Sequence, residues 1–181
     1  MPRHFRVENP ARLDGARAAA IYEQIRSRLV AGYRLSRIEL AEDYVRWRRY
    51  NRVPYLSATH GDHYVNNYAN SLAVRYGEAV SQPEGTVLAK DSFTVTRDGD
   101  VYSGPLVLME KMAPGFSPEG NDWRYTMIMP DGSLLGVTGG VEAAQVGYCR
   151  ECHVTAPAGH DHLFFVPEEH RQEALIRGPG G

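Results

Sequence analysis

Cysteine is nearly absent: the 181 residues contain two, Cys149 and Cys152. Two thiols cannot form the disulfide framework on which small secreted folds depend. No apolar run approaches the roughly 20 residues that cross a bilayer, which excludes a helical span. An excess of charge of one sign is also missing. Lys and Arg number 20 against 22 Asp and Glu, a net charge of -2. The net charge gives no electrostatic reason to track phosphates, a local basic patch aside, so no nucleic-acid partner is expected. Internal repeats and low-complexity tracts are absent. Hydrophobic residues make up 43% and charged residues 23%, which excludes bulk disorder. No apolar leader follows Met1. Taken literally, this favours the cytoplasm, but a chain whose leader had been removed would read the same way.

The length suits one domain over residues 1–181, at roughly 150 residues per domain. Asn9 and Pro10 predict a helix start, and residues 11–31 are rich in helix formers, with Ala18, Ile21, Ile25 and Leu29 on one face. Gly32 is the expected terminator. A second helix is predicted over 37–49 and is ended by Pro54. Residues 64–68 read as a short strand, and Asn70 as the cap of a helix over 71–80. Strands over 86–96 and 101–112, joined by Arg97-Asp98-Gly99-Asp100, form the clearest hairpin. Further strands are expected over 123–129 and 134–138, then a short helix over 141–150, an apolar stretch over 163–166 and a frayed tail over 171–181. The fold class is therefore α+β, a mainly antiparallel sheet flanked by helices. Alternation places Lys90 with Leu88, Ser92 and Thr94, opposite a face made of Val87, Ala89, Asp91, Phe93 and Val95.

Cys149-Arg150-Glu151-Cys152-His153 uses every cysteine in the chain. Two thiols three positions apart, on about one helical turn, can each add to one vinyl group of a porphyrin. The next histidine is then held under the ring. Cys-x-x-Cys-His is the attachment signature of c-type haem, so haem c is the expected cofactor and His153 the expected iron ligand. Three other readings stay open. The pair can be thioredoxin-like, although no βαβ context is evident. It can be part of a zinc site with His153 and His160 or His162. Or it can be two inert core thiols.

At this point the sequence resembles the cytochrome P-460 family, which includes cytochrome c′-beta. The resemblance runs from about Trp47 to Pro167. It is carried by Arg49 to Tyr55, Ser57 to Asn70, the Gly85-Thr86-Val87-Leu88-Ala89-Lys90-Asp91-Ser92-Phe93 strand, Gly104-Pro105-Leu106, Met109 to Met112, Asp122 to Tyr125, and Cys149 to His153. It implies a periplasmic homodimer with a haem-binding core over about 47–167, N-terminal helices over 11–49, and a cytochrome as electron acceptor. It implies oxidation of hydroxylamine to nitrous oxide or nitric oxide, with the haem crosslinked to a lysine. In the c′-beta members it implies nitric oxide binding without turnover. A plain electron-transfer cytochrome is the third reading. Lys90 matches the crosslinking lysine, with Lys111 as runner-up.

Oxidation of hydroxylamine needs a group that accepts its protons. Glu110, Glu142, His60 and His63 are the expected candidates, and a pocket lined only by Phe, Leu or Met would favour gas binding instead. Arg124 is a candidate partner for a haem propionate, with an exposed strand residue as its bland alternative, while the bland alternative for Glu110 is a pairing with Arg124 or another strand residue. Asn66, Asn67 and Asn70 read as structural, and Trp123 and Tyr125 as packing residues.

Overall fold

The first long helix, α1 (Gly15–Arg34), begins where Asp14 can cap it. The Asp14 carboxylate accepts the Arg17 N–H at 2.8 Å, while its own backbone stays extended. The computed structural model of the chain describes residues 8–73 and 76–172. The sequence predicts an earlier start, at Asn9-Pro10, but Asn9 adopts a left-handed φ of 52° outside the helix. Ala18, Tyr22, Ile25, Leu29 and Tyr33 form the buried stripe. The helix also runs through its expected terminator. Gly32 lies inside it because the Pro130 carbonyl packs there, and a Cβ would stand 2.0 Å from that oxygen. The second predicted helix is shorter than expected. Only Glu39–Asp43 (α2) is α-helical, followed by a tight turn over Tyr44–Arg46.

Eight strands follow in one sheet among the described residues. They are β1 (Arg48–Arg49), β2 (Tyr55–Ser57), β3 (His63–Ala69), β4 (Val87–Val95), β5 (Val101–Ser103), β6 (Leu106–Lys111), β7 (Trp123–Ile128) and β8 (Leu134–Val137). The main path is β1-β3-β4-β6-β7-β8, with β2 on β3 and β5 on β4. Every pairing is antiparallel. The protein is thus α+β, a mostly antiparallel sheet flanked by a few helices. The predicted hairpin is present, its second limb split into β5 and β6.

Two predicted helices come out differently. Residues 71–73 and 76–80 form turns and bends rather than a helix. The Asn70 side chain instead ties this connection to the next strand, donating to Gly85 O at 2.8 Å and accepting from Val87 N at 3.2 Å. The segment over 141–150 divides into a tight turn, Ala143–Val146, and a helix α3 (Gly147–His153). The expected fraying of the tail does not extend to its first two residues. Arg171 bridges to Asn51, and Gln172 N–H donates to Tyr50 O at 3.0 Å. The rest of that tail lies outside the described residues.

The sheet is covered on both faces. Tyr64, Tyr68, Ala89, Phe93, Leu106 and Leu108 pack under α1 and α2. Met109, Trp123, Tyr125 and Met127 face α3 and the Leu163 segment. The α1 face also buries Asp91 completely. Its carboxylate accepts from Tyr22 OH at 2.5 Å, Tyr44 OH at 3.0 Å and Asn66 Nδ2 at 3.0 Å. With Tyr22 donating to Asp91, the Tyr68 hydroxyl 2.7 Å away donates to Tyr22. Asn51 continues the network from Asn66, at 3.0 Å, to the Asn67 N–H, at 2.7 Å. Burial raises the Asp91 pKa, and these donors partly oppose that rise.

Candidate functional site

Lys90 stands in the middle of β4, in register with Asn67 of β3 and Val107 of β6. Strand alternation turns it away from Asp91 and towards α3. There it meets a cavity of about 280 Å³ walled by the sheet, by α3 and by the Phe164–Pro167 segment. A smaller adjoining lobe, about 50 Å³, adds Leu88, Met109 and Leu163 to the lining. Lys90, His60, Val107, His153 and Phe164 line both. The interior is mainly apolar, with these few polar groups converging on it, the usual make-up of a small-molecule site.

The polar groups are held from behind. Gly61, at φ 74°, and Asp62, at φ 59°, turn the chain sharply between β2 and β3, which brings His60 over Lys90. The Lys90 ammonium nitrogen lies 2.9 Å from His60 Nε2. Ser57 Oγ sits 2.9 Å from His60 Nδ1 on its other side. Desolvation lowers the Lys90 pKa to about 7, so a large share of the amine is neutral at physiological pH. His153, at the end of α3, donates its Nδ1–H to the His162 carbonyl at 2.8 Å. Burial holds its pKa down at about 4, leaving the ring neutral. The Tyr125 ring lies tilted at 57° to the His153 ring with centroids 5.5 Å apart, and its buried hydroxyl has no hydrogen-bond partner. A buried hydroxyl is rarely left so, and an orphan on a cavity wall marks where a bound molecule can accept.

The structure thus gathers five of the nine sequence-derived site residues, Lys90, His60, Cys149, Cys152 and His153, around one cavity. It sets four apart. Glu110 and Arg124 pair with each other across β6 and β7, on the face opposite Lys90. Glu142 is exposed at the start of the Ala143–Val146 turn, at φ 46°. His63 is buried, with Nδ1 3.1 Å from His60 O, and supports the turn rather than lining the cavity. Outside those nine, Lys111, the runner-up for the crosslink, is held in a buried ion pair with Asp161 at 2.7 Å.

The cofactor expectation requires correction. Haem c, with its iron at His153, was expected. Among the described residues no group of three or more His, Cys, Asp or Glu side chains converges that could hold a metal ion. Cys149 and Cys152 are not a matched pair either: both are free, one buried and the other exposed. Burial pushes the Cys149 thiol up to about 12, which keeps it protonated and a poor nucleophile. We therefore assign neither metal nor haem to these residues. The same finding removes the zinc alternative, since a structural zinc site needs four ligands and a catalytic one three.

Sequence reasoning missed Tyr125 as part of the site and Asp161 as a residue that supports it from outside the cavity. Tyr125 carried a usable signal, because alternation along β7 places it with Trp123 and Met127 on the cavity side of the sheet. Asp161 carried none, since its role comes from a loop fold that no periodicity reports. No family model matches the chain, and no curated protein sequence is similar to it.

Proposed function

We propose that the chain acts on a small nitrogen compound, as the cytochrome P-460 proteins it resembles do, and that hydroxylamine is its substrate. The observation that carries this reading is the Lys90 amine, set 2.9 Å from His60 Nε2 inside a mainly apolar cavity, where burial lowers its pKa. A cavity lined by hydrocarbon alone would suit a diatomic gas. This one adds a proton-accepting pair.

Hydroxylamine must lose protons as well as electrons to be oxidised. The unprotonated Lys90 amine takes a proton from the bound nitrogen compound, and its low pKa matches the working pH, where general bases are most effective. His60 hydrogen-bonds the resulting ammonium. Behind it, Ser57 and the exposed Thr59 continue the hydrogen bonds towards solvent. Tyr125 OH, on the same face of the sheet two strands away, donates to the substrate oxygen or nitrogen. Val107, Met109, Leu163 and Phe164 supply hydrocarbon lining to the cavity. For nitric oxide as product, each hydroxylamine gives up three protons and three electrons. The protons leave through Lys90 and His60. An oxidised cytochrome docked over the cavity takes the electrons one at a time, the chain working as a periplasmic homodimer in the same proposal.

The test is a steady-state assay of the purified protein with hydroxylamine and an artificial electron-accepting dye. Saturable dye reduction is expected, falling by about 10²-fold in Lys90→Met, the usual contribution of a positioned base. Nitric oxide binding without turnover would favour the binding protein instead. Neither turnover nor binding would reject the proposal.

A further inference from the structure

On the far side of His153 from the cavity lies a second cluster of polar groups, for which the reading above has no use. Lys111, at the end of β6, is 8% exposed, and Asp161 7%. The Lys111 ammonium donates to Asp161 Oδ1 and to Asn121 O, both at 2.7 Å, and lies 5.2 Å over the Trp123 ring. The other Asp161 oxygen accepts the Gln82 N–H at 2.6 Å. Asn121 Nδ2 donates to the same carboxylate. The Asp161 carbonyl is held as well, by the Trp123 indole N–H at 2.8 Å. Asp161 is therefore fixed through both its side chain and its backbone.

This fixation has a local consequence. Asp161 and His162 occupy the left-handed region in succession, at φ 53° and 60°. Side chains other than glycine resist this conformation, and it persists where the surroundings over-determine it. The turn aims the His162 carbonyl at His153 Nδ1, 2.8 Å away. A carbonyl can only accept, so Nδ1 carries the ring proton and Nε2 has a free lone pair. Which ring nitrogen is protonated follows from the bond the other one makes.

We infer that the buried Lys111–Asp161 ion pair is a positioning device for His153, fixing its tautomer and ring orientation through the Asp161-His162 turn. Buried ion pairs are seldom retained for stability, since well-packed apolar replacements are often as stable. Here the pair sets where one carbonyl points. Lys111 and Asp161 touch neither the cavity nor a substrate, so they are positioning residues. The inference deepens the role of His153 as a cavity group. Its readout is a ring proton rather than turnover, so the two readings fail separately.

The experiment is ¹⁵N NMR of the imidazole rings in the full chain. The unaltered protein is expected to show His153 protonated at Nδ1. Lys111→Met should shift the tautomer ratio towards Nε2–H by about tenfold, the worth of one lost hydrogen bond. The double replacement Lys111→Met with Asp161→Asn removes both charges together and should shift it in the same direction. An unchanged ratio in either folded variant would overturn the inference and leave the pair a purely structural one. If neither variant folds, the unaltered chain decides. The Gln82 amide proton and the His153 Nδ1 proton should show the same protection factor against exchange with deuterated solvent, because one opening that releases Asp161 frees both. Independent exchange, or an Nε2–H ring at the outset, would overturn it.

Discussion

The two faces of the sheet bury similar chemistry to opposite effect. Under α1, Asp91 is surrounded by Tyr22, Tyr44 and Asn66, and each of these groups has a partner. Under α3, Lys90, His60, His153 and Tyr125 border empty space, and the Tyr125 hydroxyl is unpaired. Buried polarity thus does not by itself indicate function. A satisfied network specifies one packing arrangement, and an unsatisfied one leaves capacity for a ligand.

The contrast breaks most visibly at Asp91. Asp91→Ala should cost about 3–5 kcal/mol, because several buried donors lose their acceptor together. A urea midpoint should show this as a large fall with an unchanged slope. A loss below about 1 kcal/mol would erase the distinction between the faces, since it would make the α1 network no more demanding than a surface contact.

Lys90 gives the next largest effect, through pH. Its pKa is 10.5 in the unfolded chain and about 7 in the folded one. Between those values the unfolded chain binds more protons, so stability rises with pH across that window. From pH 7 to 9 the gain should be on the order of 2 kcal/mol. Lys90→Met should flatten the rise and be more stable than the parent at pH 6, as judged by thermal unfolding at each pH. An equally steep rise in that variant would place the titrating group elsewhere.

A matched pair of tyrosines sharpens the comparison further. Tyr22→Phe removes a hydroxyl that both donates and accepts, and should cost about 1–3 kcal/mol. Tyr125→Phe removes one that does neither, and should change stability by less than about 0.5 kcal/mol. Its effect should fall on the hydroxylamine KM. Equal costs for the two variants would mean that the Tyr125 hydroxyl is not spare.

Much of this arrangement is legible in the sequence where strand alternation governs. The period of two placed Lys90 opposite Asp91 and grouped Val107, Met109 and Lys111, as the structure does. The Asp-Gly turn marked the hairpin, and the helix predicted over 141–150 overlaps α3 only at 147–150. What failed was local signals overruled by tertiary contact. Gly32 reads as a helix end until the Pro130 carbonyl is seen against it. Asn70 reads as a helix cap, yet its side chain satisfies the neighbouring strand. Glu110 has the right chemistry for a proton acceptor but the wrong parity, and Arg124 opposite it in register takes up its charge. The cysteine motif shows the limit of pattern in another way. Spacing can suggest a ligand, yet the metal donors it needs do not converge among the described residues.

The cavity wall between Asp161 and Gln172 is fastened at both extremities. One fastening is the Lys111 ion pair, and the other is the Arg171–Gln172 contact with Tyr50 and Asn51. Such a segment behaves like a belt with two buckles and a rivet midway, where Val166 N–H donates to Tyr76 OH at 3.0 Å. Evolution can therefore retune what fits inside by lengthening or shortening the spans between these fastenings, while the anchorages and the sheet beneath stay as they are.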